Sequence, residues 1–282
     1  MASLRRVVLA TDLAGGHLEP FAHALALAVR AGRSDATELV LVHLLDELDP
    51  AASWRRLPAV RTLLARWGTI PADAPPEALD ALGISVQTVD AAAVDGDLPT
   101  AIARRVAELS PDLVILGTGA RTGWDRILAP SVAEPVAREV HRPTLFVAEH
   151  ARGLVDVQTG ALKVGRVLVP ITEELSQQPL IDELVRLLGA VGAADVAFTF
   201  VHVGDGPLPT LSLPPRSDWR WRTDQRDGAV VEQILQAAVE NEVDLIAMAT
   251  HGHDSLLDQI RGSHTERVLR RAPCPLLAVP VD

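Results

Sequence analysis

Ala249, Gly252, Gly262 and Ser263 are the residues whose types and spacing could do chemistry, in the order Ala249-x2-Gly252-x9-Gly262-Ser263. They lie in a stretch that reads as a buried strand (244–248), a small-residue turn (249–252), a second glycine step (262–263), a helix (265–271) and a last strand (276–279). A strand, a glycine turn and a helix start in that order gather unpaired backbone N–H groups and the positive end of a helix dipole around one hollow. Polyphosphate is the ligand such a hollow suits. Gly252 and Gly262 would let the backbone approach it, Ser263 would add a hydroxyl, and the N–H groups of Ser263, His264 and Thr265 would point at the anion.

The same grammar occurs earlier. Residues 112–147 carry Gly117-x2-Ala120-x9-Pro130-Ser131, with Ser131 where Ser263 falls, Glu134 matching Glu266, Val136 matching Val268 and Pro143 matching Pro275. Val42-His43-Leu44 and Val201-His202-Val203 keep the same phase, so the repeat spans the fold and the chain reads as a duplication. The expected units are 1–150 and 163–282. Apolar runs at 7–10, 39–45, 113–116 and 144–147, and a strand-like alternation at 84–89, are separated by helical spacing at 19–30, 54–67 and 99–109. Gly32 is expected to close the first helix. In the second copy, strands are expected at 167–170 and 196–203, with a helix at 178–188 stopped by Gly189. The proline-rich segment 204–216 reads as a loop, in place of most of the region equivalent to 54–82. Strands separated by helices imply an α/β fold with two tandem doubly wound, mostly parallel five-stranded sheets of Rossmann-like type.

Composition narrows the function classes. The 282 residues suit two domains of about 140. A formal charge of −11 disfavours nucleic-acid backbone or an anionic membrane surface as the main partner. The single cysteine, Cys274, excludes an intrachain disulfide and a thiolate cluster, so a reducing cytoplasm is expected. No apolar run approaches the roughly 18 residues of a membrane span, and the run 7–10 meets Asp12 too early for a signal core.

These features resemble the universal stress protein family in its tandem form, over nearly the whole chain. In ATP-binding members a strand-end aspartate, a backbone contact at the end of the second strand and a glycine pattern G-x2-G-x9-G-(S/T) line one nucleotide site. The resemblance implies that Val203 presents its backbone to the adenine edge and that His251 reaches phosphate or ribose. It implies ATP, ADP or AMP as ligand, with Mg²⁺ as companion ion. The second strand copy ends Val167-Leu168-Val169-Pro170-Ile171-Thr172, which puts Pro170 and Thr172 at the site with Thr172 in the aspartate's place; Glu173 takes that place only after a one-residue slip. The first copy departs differently. Asp12 is present and Leu44 stands at the adenine position, but Ala120 and Pro130 spoil the loop that Gly117 opens and Ser131 closes. Pro130 lacks an N–H, and losing one charge-assisted bond to phosphate costs roughly 1.5–3 kcal/mol. The second site is therefore expected to be the working one.

Each residue also has a plainer reading. Glycines can close a strand-to-helix turn without a ligand, and Asp12 can cap a helix. His43 and His202, at strand ends, read as structural. His251, His253 and His264 lack a carboxylate or thiolate at fixed spacing, so no metal site is expected. Trp219-Arg220-Trp221-Arg222 reads as an edge strand with packed tryptophans and solvated arginines, not a base-stacking platform. The sequence holds no Walker A lysine or nucleophile elbow, and no catalytic base with a positioned partner, so turnover is expected to be slow ATP hydrolysis at most. A rival to the nucleotide reading is a protein-interaction scaffold with both sites spent, because Thr172, Ala249, Ala120 and Pro130 touch both. The copies are expected to pair through their apolar last strands, 144–147 and 276–279, with a homodimer and unnamed protein partners left open.

Overall fold

The computed structural model describes residues 3–10, 18–43, 58–90, 98–118, 136–137, 139–148, 151–173, 175–251 and 264–281. By compactness the chain divides into two units, Met1–Arg142 with Val155–Leu162, and Pro143–Leu154 with Lys163–Asp282.

The first unit contains β1 (Arg6–Ala10), α1 (Leu18–Gly32), β2 (Thr37–His43), α2 (Pro58–Arg66), a 3₁₀ turn (Pro76–Leu82), β3 (Ile84–Asp90), α3 (Leu98–Glu108) and β4 (Leu113–Thr118). Its strands lie in the order β3-β2-β1-β4, with β2 parallel to both β1 and β3 and β1 parallel to β4. All six residues of β4 are buried, as expected of a strand covered on both faces. The helix α1 is alanine-rich and buried from Pro20 to Val29, so it sits inside and not on one face. It ends at Gly32, as expected. That glycine is the last residue of α1 and lies against Gly83, whose φ is 68° and where an added Cβ would meet the Gly32 carbonyl oxygen at 2.1 Å. The two glycines meet in close backbone approach, and Gly83 in its left-handed conformation also caps the 3₁₀ turn, its N–H donating to the Asp80 carbonyl at 3.0 Å.

Residues 155–162 fold back on the first unit. A bridge joins Val155 to Leu162, Trp67 Nε1 donates to the Val157 carbonyl at 3.0 Å, and the Val155 N–H donates to His23 Nε2 at 3.1 Å.

The second unit contains β5 (Thr144–Ala148), β6 (Arg166–Pro170), α4 (Gln178–Ala190), β7 (Ala197–Val203), β8 (Arg220–Arg226), α5 (Val230–Glu240), β9 (Leu245–His251), α6 (His264–Leu269) and β10 (Leu276–Val281). Five strands run parallel in the order β10-β9-β6-β7-β8, and β5 adds an antiparallel partner to β10, with Leu276 opposite Phe146 and Ala278 opposite Thr144. The segment between β7 and β8 holds no helix, as its prolines dictate. Gly189 lies within α4. The stop is Gly192 at φ 67°, where Gly192 N–H returns to the Gly189 carbonyl and Ala193 N–H to that of Leu188.

The duplication is visible in register. Val7 pairs with Leu113 in β1–β4, and Val167 pairs with Leu245 in β6–β9. Asp112 Oδ2 accepts the N–H groups of Arg5 and Arg6 at 2.7 and 2.9 Å; Asp244 Oδ2 accepts those of Gly165 and Arg166, both at 2.9 Å. Asp112 staples the start of β1 to the start of β4, and Asp244 the start of β6 to the start of β9.

Candidate functional site

In the second unit β6 has β7 on one side and β9 on the other, so the connections leave in opposite directions and the switch point lies between β6 and β9. Open α/β sheets bind ligands at the carboxyl ends of the strands beside that point. The ladder there is short: Val167 and Leu168 pair with Leu245 and Ile246, after which β6 pairs only with β7 while β9 continues beside β10 to His251. The pairing therefore stops short of the Pro170 end of β6 and the Ala249–His251 end of β9.

Pro170 ends β6, and Ile171 prolongs the pairing through its N–H to the Val201 carbonyl at 2.9 Å. Thr172 follows, half-buried, and Glu173 is exposed. No carboxylate stands at the Thr172 position. Gln177 Nε2 donates to the carbonyls of Thr172 and Leu175 at 3.3 and 3.1 Å, which shapes the turn into α4. Val203 is the last residue of β7, half-exposed, opposite Arg226.

Ala249 corrects one expectation. It is not in a turn: β9 runs on to His251 because Ala249, Thr250 and His251 pair with Val279, Pro280 and Val281. Among the described residues the non-glycine positions with positive φ are Ser110, His141, Asp195 and Glu242, so Ala249 occupies ordinary extended backbone. Alanine there carries no left-handed strain, and the departure from the glycine pattern is mild. Gly117, its counterpart, likewise lies within β4.

The helix expected at 265–271 is the short α6, in which His264 is exposed and Thr265 half-buried. Gly252, Gly262 and Ser263 of the second loop, and Asp12, Leu44 and Ser131 of the first copy, lie outside the described residues. The described site residues that come together are thus Pro170, Thr172, Val203, Ala249 and the His251 backbone, at the carboxyl ends of three neighbouring strands.

Two polar residues at this edge escaped the sequence reading. His202 is 7% exposed and places Nδ1 3.3 Å from the Ile171 carbonyl; Gln177 is 4% exposed. His202 Nε2 and Gln177 Oε1 are buried with no hydrogen-bond partner. The signal for His202 was its strand-end position, shared by every structural histidine there. Gln177 carried no signal.

Other groups fall away. Burial pushes the Cys274 thiol up to about 12, so it is no thiolate nucleophile near neutral pH. Trp219 and Trp221 are used in packing: Trp221 stacks on Phe198 with ring centroids 4.0 Å apart, and the Arg216 guanidinium lies 4.1 Å over Trp219. Arg222 bonds Thr199 and Asn241, and Arg226 pairs with Asp224 and Glu240. Among the described residues no cluster of three potential metal ligands occurs, and no helix is long and apolar enough to cross a membrane.

Comparison with known proteins agrees with this architecture. A stretch of 52 residues is 42% identical to a Thermus aquaticus protein named as a universal stress protein in the QAH/OAS sulfhydrylase 3' region; it spans 18% of this chain and 38% of that protein's length. A solved universal stress protein from Archaeoglobus fulgidus superposes with TM-score 0.62 at 17% identity, covering 99% of this chain and 97% of its own. A functionally unknown Pseudomonas aeruginosa protein gives TM-score 0.64 at 14% identity, covering 100% and 94%. At these identities the structural likeness speaks for the fold alone. The family model described as Universal stress protein family matches residues 3–148 and 220–280. That match takes in well over half of the chain and reaches both halves of the duplication, and the chain belongs to the universal stress protein family.

Proposed function

We propose that this chain binds an adenine nucleotide, ATP foremost, at the carboxyl ends of β6, β7 and β9, and acts as a regulatory module. Family membership implies a stress-related role. The observation that carries the reading is the early end of the β6–β9 ladder at the switch point, beside the strand that leads into Gly252-x9-Gly262-Ser263. Backbone amides of that segment would hold the phosphates, and Val203 would meet the base. Mg²⁺ would neutralise phosphate charge when bound. No turnover step is assigned, and a cytoplasmic location, unnamed protein partners and pairing of copies belong to the same reading.

The experiment is calorimetric titration with ATP and Mg²⁺. About one site per chain is expected, and Gly262→Leu should abolish it by filling the phosphate approach. Absence of heat with ATP, ADP and AMP would reject the reading. One observation favours a second reading, a nucleotide-independent interaction scaffold: Thr172 brings no carboxylate to the position where ATP-binding relatives carry aspartate. Nucleotide released on heating the purified protein argues against the scaffold.

A further inference from the structure

His202 and Gln177 are fastened to successive carbonyls at the end of β6. The Ile171 carbonyl can only accept, so His202 Nδ1 carries the ring hydrogen and Nε2 presents a lone pair. Gln177 uses its NH₂ group on the Thr172 and Leu175 carbonyls, which leaves Oε1 as an acceptor. Both leftover atoms are buried and unpartnered. An unpaired buried acceptor is destabilising, so two at one strand end are a standing demand for hydrogen donors.

The surroundings of His202 define the demand. A Cβ added at Gly206 would lie 3.5 Å from His202 Nε2 and 3.9 Å from Glu173 Oε2, so two acceptors border the same small space. The segment that closes it is exposed from Asp205 to Leu208, and Gln225 Nε2 ties it down through the Gly204 carbonyl at 2.9 Å. Gly204, at φ 125°, can turn that segment aside. A group entering between two acceptors must donate, and an aromatic amino group donates twice. A carbonyl oxygen there would face lone pairs and leave the acceptors unpaired.

We propose that His202 is a specificity residue of the nucleotide site, whose Nε2 accepts a hydrogen from the exocyclic amino group of the base, with the Gly204–Gly206 segment moving aside on entry. The inference rests on the nucleotide reading above and adds selection for 6-amino over 6-oxo purines. It also gives the Thr172 site the acceptors that a strand-end aspartate would have supplied.

Inosine triphosphate, which differs from ATP in carrying a 6-oxo group, is the probe. The native chain should bind ATP at least about tenfold more tightly than inosine triphosphate, the scale of one unmatched hydrogen bond. His202→Phe, which keeps a ring without the lone pair, should bring that ratio close to one while inosine triphosphate affinity stays within about threefold. Equal affinities in the native chain overturn the inference and leave the nucleotide reading standing. Failure to bind either triphosphate removes both. Stoichiometric binding of zinc ion alone, lost in His202→Phe, would assign the acceptors to a cation and also overturn the inference.

Discussion

Burial sets the behaviour of His23. It is fully buried in α1, with Nδ1 donating to the Glu19 carbonyl at 2.6 Å and Nε2 accepting from Val155 N–H. Desolvation lowers its pKa to about 4 from an ordinary 6.5, against the opposing pull of the Glu19 carbonyl and charge. The folded state thus binds this proton less readily than the unfolded chain. Its contribution is fully present above about pH 6.5 and falls as pH drops towards about 4, by about 3 kcal/mol in total. Denaturant unfolding across that window should show the native chain losing stability more steeply than His23→Gln, whose side chain does not titrate; parallel slopes would contradict the assignment. At the same scale, residue type told only part of the story in advance. Ala249 looked like damage to a glycine turn, but β-pairing with Val279 shows that the position makes no demand for glycine. His202 looked structural, and its unpartnered Nε2 appears only once the Gly206 segment is seen over it.

Strands were legible where apolar residues run together, as at 113–116 and 144–147, because burial on both faces leaves no polar alternation. Their ends were not. The ends of β9 and β10 extend to His251 and Val281, since backbone pairing continues through Thr250 and Pro280, and a proline argues against a strand in sequence. The helix stop read at Gly32 is where α1 ends, but the one read at Gly189 falls inside α4, and Gly192 adopts the left-handed turn that follows that helix. The staple at Asp244 was invisible because an aspartate before a strand also reads as loop. It belongs to the element scale: removing it frees the Gly165 and Arg166 amides that fasten β6 to β9. Asp244→Ala should cost about 1–2 kcal/mol in chemical denaturation, discounted for partial exposure, with Asp244→Asn costing less because one acceptor remains. No change in either variant would contradict the staple.

For the whole molecule, duplication is the organising fact, and it was readable from the common offset of Ser131 and Ser263, Glu134 and Glu266, Val136 and Val268, and Pro143 and Pro275. The units share the β1–β4 and β6–β9 registers and the two aspartate staples. They differ where ligand chemistry would be decided. The first unit keeps Asp12 but carries Pro130 where the second has Gly262, and the second carries Thr172 with the acceptors His202 and Gln177 nearby. A duplicated fold with unequal loops suits one nucleotide per chain, held by main-chain amides and selected at the strand end. The most direct test is a crystal structure grown with ATP and Mg²⁺. The account predicts triphosphate density at the carboxyl ends of β6 and β9 with the base beside Val203, and none at the equivalent place in the first unit. Density at β1 and β4 alone, or a site at saturating ATP that holds only protein side chains, would contradict it.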